Sequence, residues 1–315
     1  MALSRETVTA LKGRGFLRNR GTDCFSGRVV TAGGVYTADD LYAIAECAKI
    51  YGNGKVSFTS RQSAEIVGIP AERIDEAEAF LRERHLSFGG TGARVRPITA
   101  CKGTTCVFGN MDTQALAARL HERFYLGMRE VTLPHKLKIG IGGCPNSCMK
   151  PSLNDIGIEA RVLLSYDESA CRGCPACAAA AACRSGAILR GEDGFVTLDP
   201  TVCRSCGLCV GRCPFGAFPK ERDVVCLVTV GGTWGKTRRD GTPLSFPVHP
   251  EEVEKTLLAI LLFYRKNGFK GERLGTTVDR LGIAALEGAI RDGSLLAEQE
   301  AILAAPLCER TEAAP

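Results

Sequence analysis

Eight cysteines between positions 171 and 213 fall into two runs whose spacing leaves few ways to fold. Cys171, Cys174 and Cys177 stand three residues apart with Cys183 following, and Cys203, Cys206, Cys209 and Cys213 repeat the pattern with Pro214 directly behind. Three thiolates at that interval can wrap one corner of a [4Fe–4S] cubane, while the fourth points away and ligates a partner cubane. Tetrahedral zinc motifs pair two C-x2-4-C arms and do not chain four cysteines this way, and a disulfide framework explains the pattern no better. The segment is most simply read as a scaffold for two clusters.

The second run is C-x2-C-x2-C-x3-C-P, the bacterial ferredoxin spacing. Crossed fourth ligands assign one cluster to Cys171, Cys174, Cys177 and Cys213, and the other to Cys203, Cys206, Cys209 and Cys183. An internal repeat supports this, because Cys183-Arg-Ser-Gly-Ala-Ile and Cys213-Pro-Phe-Gly-Ala-Phe are one phrase written twice. The first run departs from the pattern at Ala178 to Ala182, where five residues replace the usual three before Cys183.

Four more cysteines form two pairs, Cys101-Lys-Gly-Thr-Thr-Cys106 and Cys144-Pro-Asn-Ser-Cys148. Each pair is too isolated for a ferredoxin loop, but the four thiolates converge if the loops meet. Here the residues resemble the siroheme-dependent sulfite and nitrite reductases, in which a C-x5-C and a C-x3-C pair bind one [4Fe–4S] cluster beside siroheme. The C-P-N-S-C phrase is the specific part, and the first pair is one residue short, C-x4-C. Phe25-Ser-Gly-Arg28-Val-Val, Gly33-Gly34, Phe58-Thr-Ser-Arg61-Gln62 and Val67-Gly68-Ile69 resemble that family's ferredoxin-like half-module. Leu133-Pro134-His135-Lys136-Leu137-Lys138 is similar to its basic strand, and Gly231-Gly232 through Gly235 with Glu272-Arg273-Leu274-Gly275 to its C-terminal part.

The resemblance spans most of residues 15 to 285 and implies roles. Arg28, Arg61, Lys136 and Lys138 would line the substrate face of siroheme, the two arginines contacting the cofactor as well, and Cys148 would bridge cluster and siroheme iron. Physical chemistry agrees about the quartet, since an oxyanion losing its oxygens as water needs positive charge and proton donors aimed at one point. Alternation puts Lys136 and Lys138 on one strand face. A solvated edge strand would read the same way, but this one lies six residues before Cys144. His135 could shuttle protons, although alternation sets it opposite Lys136. The loop at Gly231 and Gly232 could offer backbone N–H groups to siroheme carboxylates or be a plain tight turn, and Arg238 and Arg239 could bind carboxylates or be solvated.

The expected fold is α+β: a ferredoxin-like half-domain over 1–92, an α/β siroheme and [4Fe–4S] domain over 93–165 and 223–305, and an inserted two-cluster ferredoxin over 166–222. Residues 1 to 20 read as an irregular arm. Helices are expected over 37–51, 71–84, 112–126, as an amphipathic helix over 257–266, and over 286–305; strands over 55–60, 63–69, 136–142 and 155–163. Residues 306–315 read as frayed. Insertion works where the two ends lie close together.

Forty basic against thirty-five acidic residues give a net charge of +5, too small and dispersed to argue for nucleic acid. Clusters and siroheme carboxylates would absorb that excess. The sequence shows neither an apolar leader nor a stretch long enough to span a membrane, and its thiols, with Cys24, Cys47, Cys226 and Cys308 left over as ordinary residues, suit a reducing, cytoplasmic setting. The expected activity is six-electron reduction of sulfite to sulfide with siroheme and three [4Fe–4S] clusters, fed by an external electron-donor protein. Nitrite reduction to ammonia, a siroheme-free electron-transfer subunit and a siroheme carrier or sensor without turnover remain alternatives. A single half-module points to a homo-oligomer.

Overall fold

The computed structural model describes residues 3–310. Its first element corrects the expected arm. The Ser4 hydroxyl accepts the Thr7 N–H at 3.1 Å and opens helix α1 (Arg5–Arg14), which Gly15 closes at φ 110° while Leu11 turns inward. Serine at the N-cap and glycine in the left-handed stop position are sufficient signals for a helix of this length.

Strands β1 (Phe16–Arg18) and β2 (Cys24–Arg28), helix α2 (Ala38–Tyr51), strands β3 (Val56–Phe58) and β4 (Ala64–Pro70), and helix α3 (Ile74–Arg82) follow. The strands make an antiparallel sheet in the order β1-β2-β4-β3. Thr37 and Asp40 form a reciprocal capping box at the start of α2. Ile44, Cys47 and Ala48 of α2 and Ile74, Ala77 and Leu81 of α3 then close a core with Phe16, Phe25, Ile66 and Ile69.

The second sheet begins with β5 (Thr99–Ala100). Helix α4 (Thr113–Leu120) widens into a π-helical segment, His121–Leu126, and strands β6 (Ile139–Gly142) and β7 (Ile156–Leu163) complete the approach to the inserted segment. That segment holds helix α5 (Ala178–Ala182) and the hairpin of β8 (Ile188–Arg190) and β9 (Val196–Leu198). The chain returns as β10 (Asp223–Val230) and β11 (Thr242–Pro243), giving a sheet ordered β11-β10-β7-β6-β5. Asp223 pairs with Leu163 at the top of an eight-residue antiparallel ladder, so the segment leaves and re-enters at one point. Its own buried core is only Ala179, Ile188, Val196, Cys209, Ala217 and Phe218. So small a core needs ligation to hold it, as in other small metal-dependent folds.

Alternation along β7 and β10 sends Ile156, Ile158, Ala160, Cys226, Val228 and Val230 to one face, against helix α6 (Val253–Asn267). The helix expected over 257–266 is there, but it is buried nearly all round rather than on one face. Leu257, Leu258, Ile260, Leu261, Leu262, Phe263 and Tyr264 are all buried, because helices α7 (Leu274–Leu281), α8 (Ile283–Asp292), α9 (Ser294–Ala297) and α10 (Gln299–Ala304) cover its outer side. Truncating one such leucine to alanine costs about 2–5 kcal/mol. The single helix expected over 286–305 is three short ones, interrupted where Gly293 takes φ 71°. Cys308 pairs with Phe269, so the described part of 306–315 is tied down through Cys308; the remainder, 311–315, lies outside the described residues.

Candidate active site and cluster loops

Strands β5 and β6 are parallel neighbours with Ala100 opposite Ile141, and Cys101 donates its N–H to Ile141 at 3.0 Å. Both cysteine loops therefore start at the C-terminal ends of adjacent strands, where parallel sheets commonly hold ligands. Gly143 and Gly103 aim their N–H groups at Cys101 Sγ, at 3.1 and 3.4 Å. A Cβ on Gly143 would stand 3.4 Å from that sulfur and 3.2 Å from Thr113 Cγ2, so the close approach favours glycine. The Cys144 thiol is pushed up by burial and by the nearby Cys101, Cys148 and Cys106, the other three members of the two loops. Ser147 and Lys150 sit in left-handed backbone at φ 53° and 47°, a strained geometry that this loop sustains around the exposed Cys148.

Beside this loop lies a cavity of about 260 Å³ lined by Cys148, Met149, Lys150, Asn154 and Trp234. Ser60, Arg61 and Lys138 line it as well, and they also line a second cavity of about 230 Å³ that adds Arg28, Arg96 and Lys136. The four basic residues singled out in the sequence thus share one cavity, and Arg61 and Lys138 also line the neighbouring cavity that Cys148 borders. Leu137, between the lysines, is fully buried, as alternation requires.

Each cation is held by the frame. Arg61 donates to Asn154 Oδ1 at 2.7 Å and to the Pro97 carbonyl at 2.8 Å, and burial lowers its pKa to about 10. Arg28 pairs with Glu65 at 2.5 Å. The Lys138 N–H donates to Asp155 Oδ2 at 2.8 Å, while Arg273 grips Oδ1 of the same carboxylate at 2.7 and 3.0 Å. Asp155 is wholly buried, and burial raises its pKa against the pull of Arg273. Burial, then Arg61 and Lys136, lowers Lys138 to about 8; Lys136 is lowered too, first by burial and then by Arg273.

Arg96 was not singled out in the sequence. It donates to the Gly90 carbonyl and lines the cavity, its Nε is buried with no partner, and burial followed by repulsion from Arg28 lowers it to about 10. Its signal was positional: it lies five residues before Cys101, much as Lys138 lies before Cys144. Five cations with one unsatisfied donor and few carboxylates suit a polyanionic macrocycle and a small oxyanion, and the four thiols of the two loops suit one cubane.

Several expectations need correcting. Gly231 spends its N–H on the Asp155 carbonyl at 2.7 Å, and a Cβ there would meet Gly275 Cα at 2.6 Å; Gly232 packs against the Ser152 carbonyl. These glycines permit close packing, and Trp234 is the loop residue that lines a cavity. Arg239 is committed to Asp279 at 2.5 Å, and Arg238 to Asp240 at 3.4 Å. His135 accepts the Lys136 N–H at Nδ1, its pKa lowered by burial and by Lys136, and lines neither cavity.

In the inserted segment Cys209 is pushed up to about 11 by burial and by Cys206, Cys183 and Cys203, and these four line one small cavity of about 10 Å³. Cys183 reaches them because the five alanines coil into α5, capped by Cys177 Sγ accepting the Ala180 N–H at 3.4 Å. Cys171, Cys177 and Cys213 border the same small core, and the Cys174 carbonyl accepts Arg190 Nε at 3.0 Å. Among the described residues no three ligating side chains close on a single ion.

Residues 91–292 match the family described as the nitrite and sulphite reductase 4Fe-4S domain, and residues 18–84 its ferredoxin-like half domain. The chain is 31% identical to one of the subunits of the anaerobic sulfite reductase of Salmonella typhimurium, over 79% of its own length and 78% of the relative's. It is 31% identical to the coenzyme F420-dependent sulfite reductase of Methanocaldococcus jannaschii over 79% of its own length, but spans only 39% of that protein. Its fold is similar to that of dissimilatory sulfite reductase I, with a TM-score of 0.67 at 22% identity over 85% of this chain and 69% of the other.

Proposed function

The chain belongs to the nitrite and sulphite reductase family, and on that premise we propose that it reduces sulfite to sulfide by six electrons at a siroheme–[4Fe–4S] centre fed by its own inserted ferredoxin. The observation that carries this reading is the basic cavity of Arg28, Arg61, Arg96, Lys136 and Lys138, two of which, Arg61 and Lys138, also line the cavity beside Cys148. Cys101, Cys106, Cys144 and Cys148 would hold one cubane, with Cys148, the exposed member, also ligating siroheme iron. Siroheme, when bound, supplies an iron open to the substrate's sulfur and a conjugated ring that passes electrons on.

The protein's own side chains do the rest. Arginine forks grip the oxyanion, and Lys138, with its pKa near 8, gives up and regains a proton close to neutral pH, where general acids work best. Cys203, Cys206, Cys209 and Cys183 would hold a second cubane and Cys171, Cys174, Cys177 and Cys213 a third. A homodimer would supply a second half-module.

Steady-state rates with sulfite and nitrite, measured side by side on anaerobic protein with a reduced viologen dye, test the reading. Faster turnover of sulfite is expected. Preference for nitrite would assign the nitrite reaction instead, and turnover of neither would return the chain to electron transfer alone.

A further inference from the structure

Cys144 and Cys206 line one cleft, together with Phe108, Arg184 and Arg204. The first belongs to the loop after β6 and the second to the inserted segment, so this cleft is where the two cysteine regions meet. The loop of Cys206 is fastened there at three consecutive residues. Arg161 Nη1 donates to the Arg204 carbonyl at 2.7 Å, the Val162 N–H to the Ser205 carbonyl at 2.9 Å, and Asn110 Nδ2 to the Cys206 carbonyl at 3.4 Å.

Asn110 differs from the other two because it also holds the opposite wall. Its backbone N–H donates to the Gly143 carbonyl at 2.8 Å, one residue from Cys144, and Arg222 Nη1 anchors its Oδ1 at 3.0 Å. A continuous route of bonds therefore runs from Cys206 through the Asn110 side chain and backbone to Gly143 and Cys144. Arg184, next to Cys183, adds a cation over the Phe108 ring at 4.8 Å from the same side. The run from Cys171 to Cys177 makes its contacts inside the inserted segment, where Gly173 packs on Phe195 and the Cys174 carbonyl receives Arg190.

We propose that Asn110 is a positioning residue that locks the Cys206 loop to the Cys144 loop, making Cys203, Cys206, Cys209 and Cys183 the inner station and Cys171, Cys174, Cys177 and Cys213 the outer one. The proposal rests on the cluster assignments above. With clusters bound, the outer set would take single electrons from an external donor protein and the inner set would relay them, with no proton or group transferred. Six such transfers match one sulfite.

The test uses the full chain loaded with its clusters, and its first readout is magnetic, independent of sulfite turnover. Stepwise reduction should produce spin coupling in EPR between the cluster of Cys144 and its nearest neighbour. Cys209→Ser should abolish that coupling and Cys174→Ser should leave it; the reverse, or no coupling in the parent protein, overturns the order. Asn110→Ala and the isosteric non-donor Asn110→Asp should slow internal electron transfer after flash reduction on the order of tenfold, with KM for sulfite and iron content unchanged. Unchanged transfer in both overturns the role of Asn110. Should neither fold, Arg222→Leu, which removes only the surface anchor, carries the same test, with slowing expected and an unchanged rate contradicting it. Intact coupling in a protein that turns over no sulfite would overturn the reductase reading and leave this one standing.

Discussion

At Lys138 fold and chemistry constrain one another. Its backbone N–H is fixed by the buried Asp155, its flanking residues Leu137 and Ile139 are sealed in the core, and its ammonium is left in a cavity among arginines. Crowding there lowers its pKa to about 8, below the ordinary lysine value. The sign follows: below about pH 8 Lys138 is charged and attracts an oxyanion, and above it that attraction is lost. KM for sulfite should therefore climb above pH 8, and Lys138→Arg, whose charge persists, should move the climb to higher pH. A KM that ignores pH from 7 to 9 would contradict this. Lys136→Ala and Lys138→Ala should each cut kcat by on the order of 10²-fold while the siroheme absorption stays nearly intact; unchanged kinetics in both would make them solvated residues. The lysines were legible in the sequence through the family resemblance and their place just before Cys144, with the period of two setting them on one face. Arg96 was not, because Pro97 breaks the alternation behind it and its partner, the Gly90 carbonyl, is set by the fold of the chain between them.

The elements divide between those that announce themselves and those created by their neighbours. Cysteine spacing located the inserted segment, and caps located α2, because both signals are local in the chain. Strand β5 is two residues long and exists only because β6 lies beside it, yet it is what places Cys101 next to Cys144. Helix α6 read as amphipathic because its sequence cannot show the later helices that cover its outer, apolar side. Helix α1 is the opposite case, since its Ser4 and Gly15 caps are local signals in a stretch with little apolar periodicity. Since Leu163 pairs with Asp223, the inserted segment is an outgrowth of one hairpin. Replacing residues 164–222 with a two-residue Asn-Gly turn should preserve the β7–β10 ladder and leave a folded protein holding about four cluster irons. Circular dichroism and iron analysis would check it, and an unfolded product would show that the segment supports the sheet.

For the molecule as a whole, the basic cavity is the organising feature. Five basic residues line it beside the cysteine loops, a setting suited to anionic groups. The two sheets are stitched across this centre by Arg61 to Asn154 and Pro97, and by Gln62, whose amide exchanges hydrogen bonds with Ala100 at 2.9 and 3.2 Å. Loss of either stitch would separate the half-domain from the cysteine loops, and Arg61→Ala should weaken siroheme retention as well as turnover, measured by absorbance after gel filtration. The central claim, that one chain carries a siroheme centre and its own two-cluster supply, is tested most directly by counting metals. Anaerobically reconstituted protein should contain about twelve acid-labile sulfides and about thirteen irons per chain, with chlorin-type absorption; about eight irons without that absorption would show that only the inserted cysteine runs are filled, and would contradict the account.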